Sequence, residues 1–136
     1  MNKLVFIVED NPVQQKILQL HFEEMLGNYV VRTFANPAEM FAHLIEKPFA
    51  IVLDHFFANN SKTGLVYLKE LKRSHSSIPV IYYTASDDAE IRASAMKLGV
   101  EQYIQKDSAS LVRLRTALDL LEEKSKRGFF KKLFGK

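Results

Sequence analysis

The order of apolar runs and amphipathic segments predicts a doubly wound α/β domain, a five-stranded parallel sheet with helices on both faces. Three observations carry that expectation. Leu4–Val8, Ala50–Leu53 and Val80–Tyr83 are nearly unbroken apolar runs, which suits strands buried on both faces. Segments with helical spacing lie between such runs, giving the alternation βαβαβαβαβα. The chain has 136 residues, 47% of them hydrophobic, which is enough for one full core.

Each element has its own signal. Leu4–Val8 is the first strand. Asn11 before Pro12 starts a helix, because asparagine caps well and proline suits the first turn. Val13, Ile17 and Leu20 follow at helical spacing as its expected apolar face. Tyr29–Phe34 is a weaker strand. Asn36-Pro37 repeats the helix start before Met40, Phe41 and Leu44. Ala50–Leu53 is the third strand, and Gly64 opens a helix with Leu65, Leu68 and Leu71 on one face. After Val80–Tyr83, Ser86-Asp87-Asp88 can cap a helix carrying Ile91, Ala95 and Leu98, which Gly99 stops. Gln102–Gln105 is a weaker fifth strand. The last helix begins at about Ser108, with Leu111, Leu114, Leu118 and Leu121 as its stripe. Right-handed crossovers join the parallel strands.

Composition removes several function classes. There are no cysteines, so a disulfide scaffold, a thiolate metal site and a cysteine nucleophile are excluded. No apolar run approaches the roughly 20 residues that span a bilayer. The N-terminal MNKLVFIVEDNP lacks the small-residue cleavage site of a secretory signal, and a cytoplasmic location is expected. The net charge of +3 is unevenly spread. Residues 124–136 hold six basic residues and no acidic one, which leaves the body with thirteen basic against sixteen acidic. The expected division is a domain over 1–123 and a basic amphipathic tail over 124–136. The acidic body does not suit a nucleic acid.

The chemistry collects at the strand ends. The first strand runs into Glu9-Asp10, the third into Asp54, the fourth into Thr84-Ala85 and the fifth into Lys106. In an open α/β sheet the carboxyl ends of the strands form the reactive edge. Clustered carboxylates repel one another and call for a cation. A small set of hard oxygen ligands suits Mg²⁺ with its own waters and a phosphate oxygen. A lysine and a hydroxyl beside that cluster suit a phosphoryl group. Asp54 is the natural nucleophile for an acyl phosphate. His21, His43, His55 and His75 have no metal-ligand spacing, and His55 is expected to point away from the acceptor side.

In VFIVEDNP, IVLD, the TA of YYTAS, and YIQK, the chain resembles the response-regulator receiver domains of two-component signalling over about residues 3–123. The resemblance implies the flavodoxin-like receiver fold. It implies phosphorylation of Asp54 by a histidine kinase or phosphotransfer protein. Mg²⁺ would be held by Asp10, Asp54 and the backbone carbonyl of Phe56, with Glu9 acting through water. Thr84 and Lys106 would contact the phosphoryl group. Thr84 and Tyr103 would form a switch, with Tyr103 turning inward and the face of the fourth helix, fifth strand and fifth helix changing shape.

The chain departs from the family pattern in three places. The family usually reads Asp-x-x-Met-Pro-x-x-x-Gly, but here Asp54 is followed by His55-Phe56-Phe57-Ala58 and the glycine falls at Gly64, two residues later. Loops absorb such insertions cheaply. Phe56 occupies a position that helps set phosphate lifetime in the family, and an apolar ring there predicts slow self-dephosphorylation. Asp107 follows Lys106 where the family commonly has a cis proline. A cis bond before a non-proline residue costs about 2.5–4 kcal/mol, so a trans bond is expected.

Phe129, Phe130, Leu133 and Phe134 would share one face of a helix, with Lys131, Lys132 and Lys136 around the rest. This tail suits a membrane interface or a partner groove. Its bland reading is a solubilising extension of the last helix with the phenylalanines folded back on the body. The whole reads as a stand-alone, cytoplasmic phosphorylation switch, because too little chain follows Leu121 for an output domain. It is expected not to be an enzyme beyond catalysing its own phosphorylation and dephosphorylation. Its output would pass to a downstream protein or along a phosphorelay. Three rivals are a phosphorylation-independent pseudo-receiver, an aspartyl phosphatase, and a flavodoxin. The phosphatase would want an aspartate where Phe56 stands, and the flavodoxin a phosphate loop where Glu9-Asp10-Asn11 stands.

Overall fold

The computed structural model describes residues 2–58 and 60–135. Asn59 of the long loop and Lys136 of the tail therefore lie outside the described residues. Five strands form one parallel sheet: β1 (Lys3–Val8), β2 (Tyr29–Phe34), β3 (Ala50–Leu53), β4 (Val80–Thr84) and β5 (Gln102–Gln105). Their order is β2-β1-β3-β4-β5. Val8 pairs with both Phe34 and Leu53, and Leu53 pairs with Tyr82. The ends of β1, β3 and β4 are thus brought side by side. The apolar runs are the most buried strands, with every residue of β3 and β4 buried. Edge strand β2 has exposed positions at Val30, Arg32 and Thr33.

The helices are α1 (Pro12–Leu20), α2 (Pro37–Ala42), α3 (Gly64–Ser74), α4 (Ala89–Lys97) and α5 (Ser110–Phe134). A π-helical turn, His21–Leu26, prolongs α1, and a 3₁₀ turn, Leu44–Glu46, follows α2. Strand alternation sends residues to two cores. Val5, Ile7, Val52 and Ile81 meet Leu18, Phe22, Leu114 and Leu118 on one face. Phe6, Val8, Ile51 and Leu53 meet Met40, Leu68, Leu71 and Ala95 on the other. The capping signals act as expected. The Asn11, Asn36 and Asp88 side chains accept hydrogen bonds from first-turn amides of α1, α2 and α4. Gly99 follows α4 at φ 95°, a conformation that needs glycine.

The apolar face expected for α1 is corrected. Val13, Ile17 and Leu20 are 67%, 49% and 46% exposed, whereas Leu18 and Phe22 are buried. The two stripes lie on nearly opposite sides of one helix, and both have helical spacing. Phe22 decides between them by packing on Tyr29, with ring centroids 6.0 Å apart. The last helix also differs from its outline. It starts at Ser110, packs through Leu114, Ala117, Leu118 and Leu121, and continues unbroken to Phe134. The composition changes at Lys124, but the helix does not. Phe129, Phe130, Leu133 and Phe134 are 60–68% exposed and are not folded back on the body. Among the described residues no helix is long and apolar enough to cross a membrane.

Candidate functional site

The sheet backbone sets the site residues. The hydrogen-bond ladder runs one residue past three strands. Glu9 N–H donates to Phe34 (3.0 Å), Asp54 N–H to Val8 (3.2 Å) and Lys106 N–H to Thr84 (2.8 Å). Glu9, Asp54 and Lys106 are therefore fixed to the rim of the sheet. Lys106 Nζ donates to Asp54 Oδ2 at 2.8 Å and to Glu9 Oε1 at 2.5 Å. Asp54 Oδ1 accepts the His55 backbone N–H at 2.6 Å. Glu9 Oε2 accepts from Asn11 N–H, and Asp10 Oδ2 accepts from Ala58 N–H at 2.5 Å. Asp10 thereby ties the loop after β3 to the end of β1.

The charges are strongly coupled. Burial raises the Glu9 pKa, and the Asp54 charge adds to it, against the pull of Lys106. Burial alone would depress Lys106, but its bonds to Asp54 and Glu9 outweigh burial and hold its pKa above the usual lysine value. Lys106 is thus a cation at neutral pH.

Two carboxylates, Glu9 and Asp54, share the Lys106 ammonium, and a third, Asp10, follows Glu9 and is bonded to the Ala58 N–H instead. Among the described residues no group of three or more acidic, histidine or cysteine side chains is arranged to hold a metal unaided. The physical reason is that Lys106 stands between Glu9 and Asp54 while Asp10 is engaged by Ala58. Hard oxygen donors with uncompensated charge fit Mg²⁺, which takes few protein ligands and keeps waters or a phosphate oxygen.

Thr84 is fully buried, and its hydroxyl accepts the Ser86 N–H at 3.4 Å. It is close in the fold to the acidic cluster but is not bonded to it. Tyr103 is already inward. It is 6% exposed, stacked on Tyr82 at 5.6 Å, and its hydroxyl donates to the Ser86 carbonyl at 2.8 Å. The Arg92 guanidinium lies 4.7 Å from the centre of its ring. Phe56 is 60% exposed at the mouth of the site, edge-on to the His55 ring. The Lys106–Asp107 bond is trans, and Asp107 instead accepts from Ala109 N–H and pairs with Arg113.

The contacts of two neighbours escaped sequence reasoning. His55 is 4% exposed, and its Nδ1 lies 2.6 Å from the Tyr82 hydroxyl. Burial lowers the His55 pKa, and burial raises that of Tyr82, so both are neutral at pH 7. A contiguous path therefore runs from Asp54 through His55 and Tyr82 to Tyr103. A histidine following a buried strand, and a tyrosine inside the run VIYY, were the only signals. The second is Gly64. Its N–H donates to the His55 carbonyl at 2.7 Å. A Cβ at Gly64 would overlap the Asp54 carbonyl and lie 2.6 Å from the Tyr82 hydroxyl. The glycine returns to the acceptor despite the longer loop. Phe57, at the family's methionine place, is buried against Tyr67, and Asn60 donates to the Tyr67 hydroxyl.

The family model for the response regulator receiver domain matches residues 5–119. This chain belongs to that family. The receiver is 28% identical over 120 residues to the "Probable C4-dicarboxylate response regulator DctR" of Halalkalibacterium halodurans, covering 88% of this chain and 51% of that protein. It is 30% identical over 118 residues to the "Uncharacterized transcriptional regulatory protein YkoG" of Bacillus subtilis, covering 84% and 50%. The receiver thus spans about half the length of these curated relatives. Among solved structures it is similar to the phosphorylated cyanobacterial phytochrome response regulator RcpA. That match has a TM-score of 0.73 and 26% identity, over 90% of this chain and 93% of that one. Receiver domains as a family bind Mg²⁺ at their acidic site and work with histidine kinases and downstream targets.

Proposed function

We propose that this receiver domain works as a response regulator that accepts a phosphoryl group on Asp54. The observation that carries the reading is Asp54 itself, 8% exposed at the sheet rim and held between Lys106 Nζ and the His55 N–H. A carboxylate so held is aimed rather than free to rotate. One Asp54 oxygen attacks the phosphorus of a phosphohistidine on a histidine kinase or phosphotransfer protein. The new O–P bond forms as the P–N bond breaks, and the departing imidazole nitrogen takes a proton. Lys106 turns its ammonium from the carboxylates to a phosphoryl oxygen. Thr84 donates its hydroxyl to another once the loop that carries Ser86 shifts.

Asp10, Asp54 and the Phe56 carbonyl would hold Mg²⁺, with Glu9 acting through water, and the ion would supply neutralisation of phosphoryl charge. Because Ser86 is bonded to both Thr84 and Tyr103, movement of Thr84 reaches the α4-β5-α5 face. A partner protein reads that face, or the phosphoryl group passes onward in a relay. Catalysis is confined to the protein's own phosphorylation and dephosphorylation, in the cytoplasm.

Intact mass after incubation with acetyl phosphate and Mg²⁺ tests this. The expected result is one added phosphoryl group, which does not form when a chelator is present or in Asp54→Asn. A folded chain that gains no mass from acetyl phosphate or from a phosphohistidine donor overturns the reading in favour of a pseudo-receiver.

A further inference from the structure

The segment Lys124–Phe134 combines two kinds of residue that a solvated helix does not need together. It carries Lys124, Lys126, Arg127, Lys131 and Lys132 with no acidic residue, and Phe129, Phe130, Leu133 and Phe134. Alone, so short a segment would be a marginal helix, because nucleation is costly. Here the nucleus is already made. Residues 110–121 of α5 are docked on the sheet through Leu114, Leu118 and Leu121, and the tail propagates from them. From Glu123 to Gly135 every residue is exposed. Lys124 still pairs with Glu101 of the body at 3.5 Å, and roughly 15 Å of helix extends beyond it.

At 100° per residue the four apolar side chains fall within one arc of about 140°, with Lys131 and Lys132 outside it. Phe130 and Phe134 stack at 5.4 Å on that arc. Their neighbours are solvent, since all four are 60–68% exposed. Among the described residues Arg127, Lys131 and Lys132 make no ion pair, and Lys126 makes only a long one to Glu123 at 3.9 Å.

We infer that this protruding helix docks on an anionic lipid surface, with the phenylalanine arc in the acyl boundary and the basic residues at the headgroups. Three features select that occupant. The segment offers apolar depth and positive charge but no Asn, Gln, Asp or Glu for directional recognition, which matches a fluid surface better than a shaped protein groove. A second copy of the same arc would bring like charges together. A nucleic acid would be met by the basic side chains alone and leave the phenylalanine arc in water. The preformed helix also removes the folding cost that such segments usually carry on binding. This inference does not rest on the phosphorylation reading, because none of these residues touches the site.

Co-sedimentation of the full chain with vesicles tests it, using phosphatidylcholine alone and phosphatidylcholine mixed with phosphatidylglycerol. Binding is expected only to the anionic vesicles and should weaken with salt. Phe130→Ser with Phe134→Ser should lower it at least tenfold. Lys131→Gln with Lys132→Gln should lower it by roughly twentyfold or more, since each basic residue near an anionic surface is worth about fivefold. Both double variants should keep the natural helix content and the natural rate of labelling by acetyl phosphate. No binding to anionic vesicles overturns the inference. So does equal binding to neutral vesicles, or self-association that the phenylalanine variant abolishes in a chain that ignores lipid.

Discussion

Asp54 is held by two donors of different kinds, one from its own loop and one from the residue after β5. Its reactivity is therefore a property of three elements at once. Phe56 adds a constraint at the mouth of the site. An apolar ring neither accepts a proton from water nor orients one, so the acyl phosphate on Asp54 should be long-lived. Phe56→Asn should speed its loss on the order of a hundredfold, the low end of what a positioned polar group contributes. Decay of the phosphorylated mass with time reads this directly, and equal rates would show that water enters by another route. His55 supplies a second residue-level prediction. Burial holds its pKa below the usual 6.5, against the nearby Asp54 and Asp88 charges. Between that lowered value and 6.5 the unfolded chain binds a proton that the folded chain does not. Stability should rise with pH through this window and fall as pH drops below 6.5. Burial lowers His21 as well, with the same sign. His55→Gln keeps a hydrogen-bonding side chain for Tyr82 and cannot titrate. Denaturant melts at pH 5 and pH 7 should show a smaller acid loss in His55→Gln than in the natural chain.

The loop between β3 and α3 shows how an insertion is accommodated without moving the site. Its first half is tied to the cluster through Ala58 N–H on Asp10, and its second half to α3 through Asn60 on Tyr67. Gly64 closes it by backbone contact with the residues it left. A methyl group there has nowhere to go, because the atom it meets is the Asp54 carbonyl rather than a flexible side chain. Gly64→Ala should cost about 3 kcal/mol, the upper end of ordinary overpacking, as a lower denaturation midpoint with an unchanged m-value. It should also slow phosphorylation, since the strain falls on the acceptor's own peptide. A variant as stable as the natural chain would mean that the loop, and not the glycine, sets this approach. Within α1, Asn11 caps as its sequence promises, yet the buried face is that of Leu18 and Phe22.

At the scale of the molecule, two cores share one sheet, and the site lies where four of its strands end together. The far half of α5 takes no part in either core. Removing residues 128–136 should therefore leave the unfolding free energy within about 0.5 kcal/mol of the natural value, the range of surface changes. Urea denaturation checks this, and a larger loss would assign the tail a structural role on the body.

The strands were legible in the sequence because burial on both faces leaves short unbroken apolar runs, whose length and β-branched content suit strands rather than helices. The order of Glu9, Asp10, Asp54, Thr84 and Lys106 along the chain followed from those runs, since a parallel sheet gathers the carboxyl ends of its strands at one edge. Helical spacing was legible too, but it states only which residues share a face and not which face meets the sheet. For α1 that choice fell to the packing of Phe22 on Tyr29. The bridge from Lys106 to Glu9 and Asp54, the His55–Tyr82 pair and the return of Gly64 to the Asp54 carbonyl each join residues far apart in the chain. Local pattern carries no term for such contacts. The continuation of α5 past its last buried leucine was likewise decided in three dimensions, by a docked helix that supplies the nucleus for the residues beyond it.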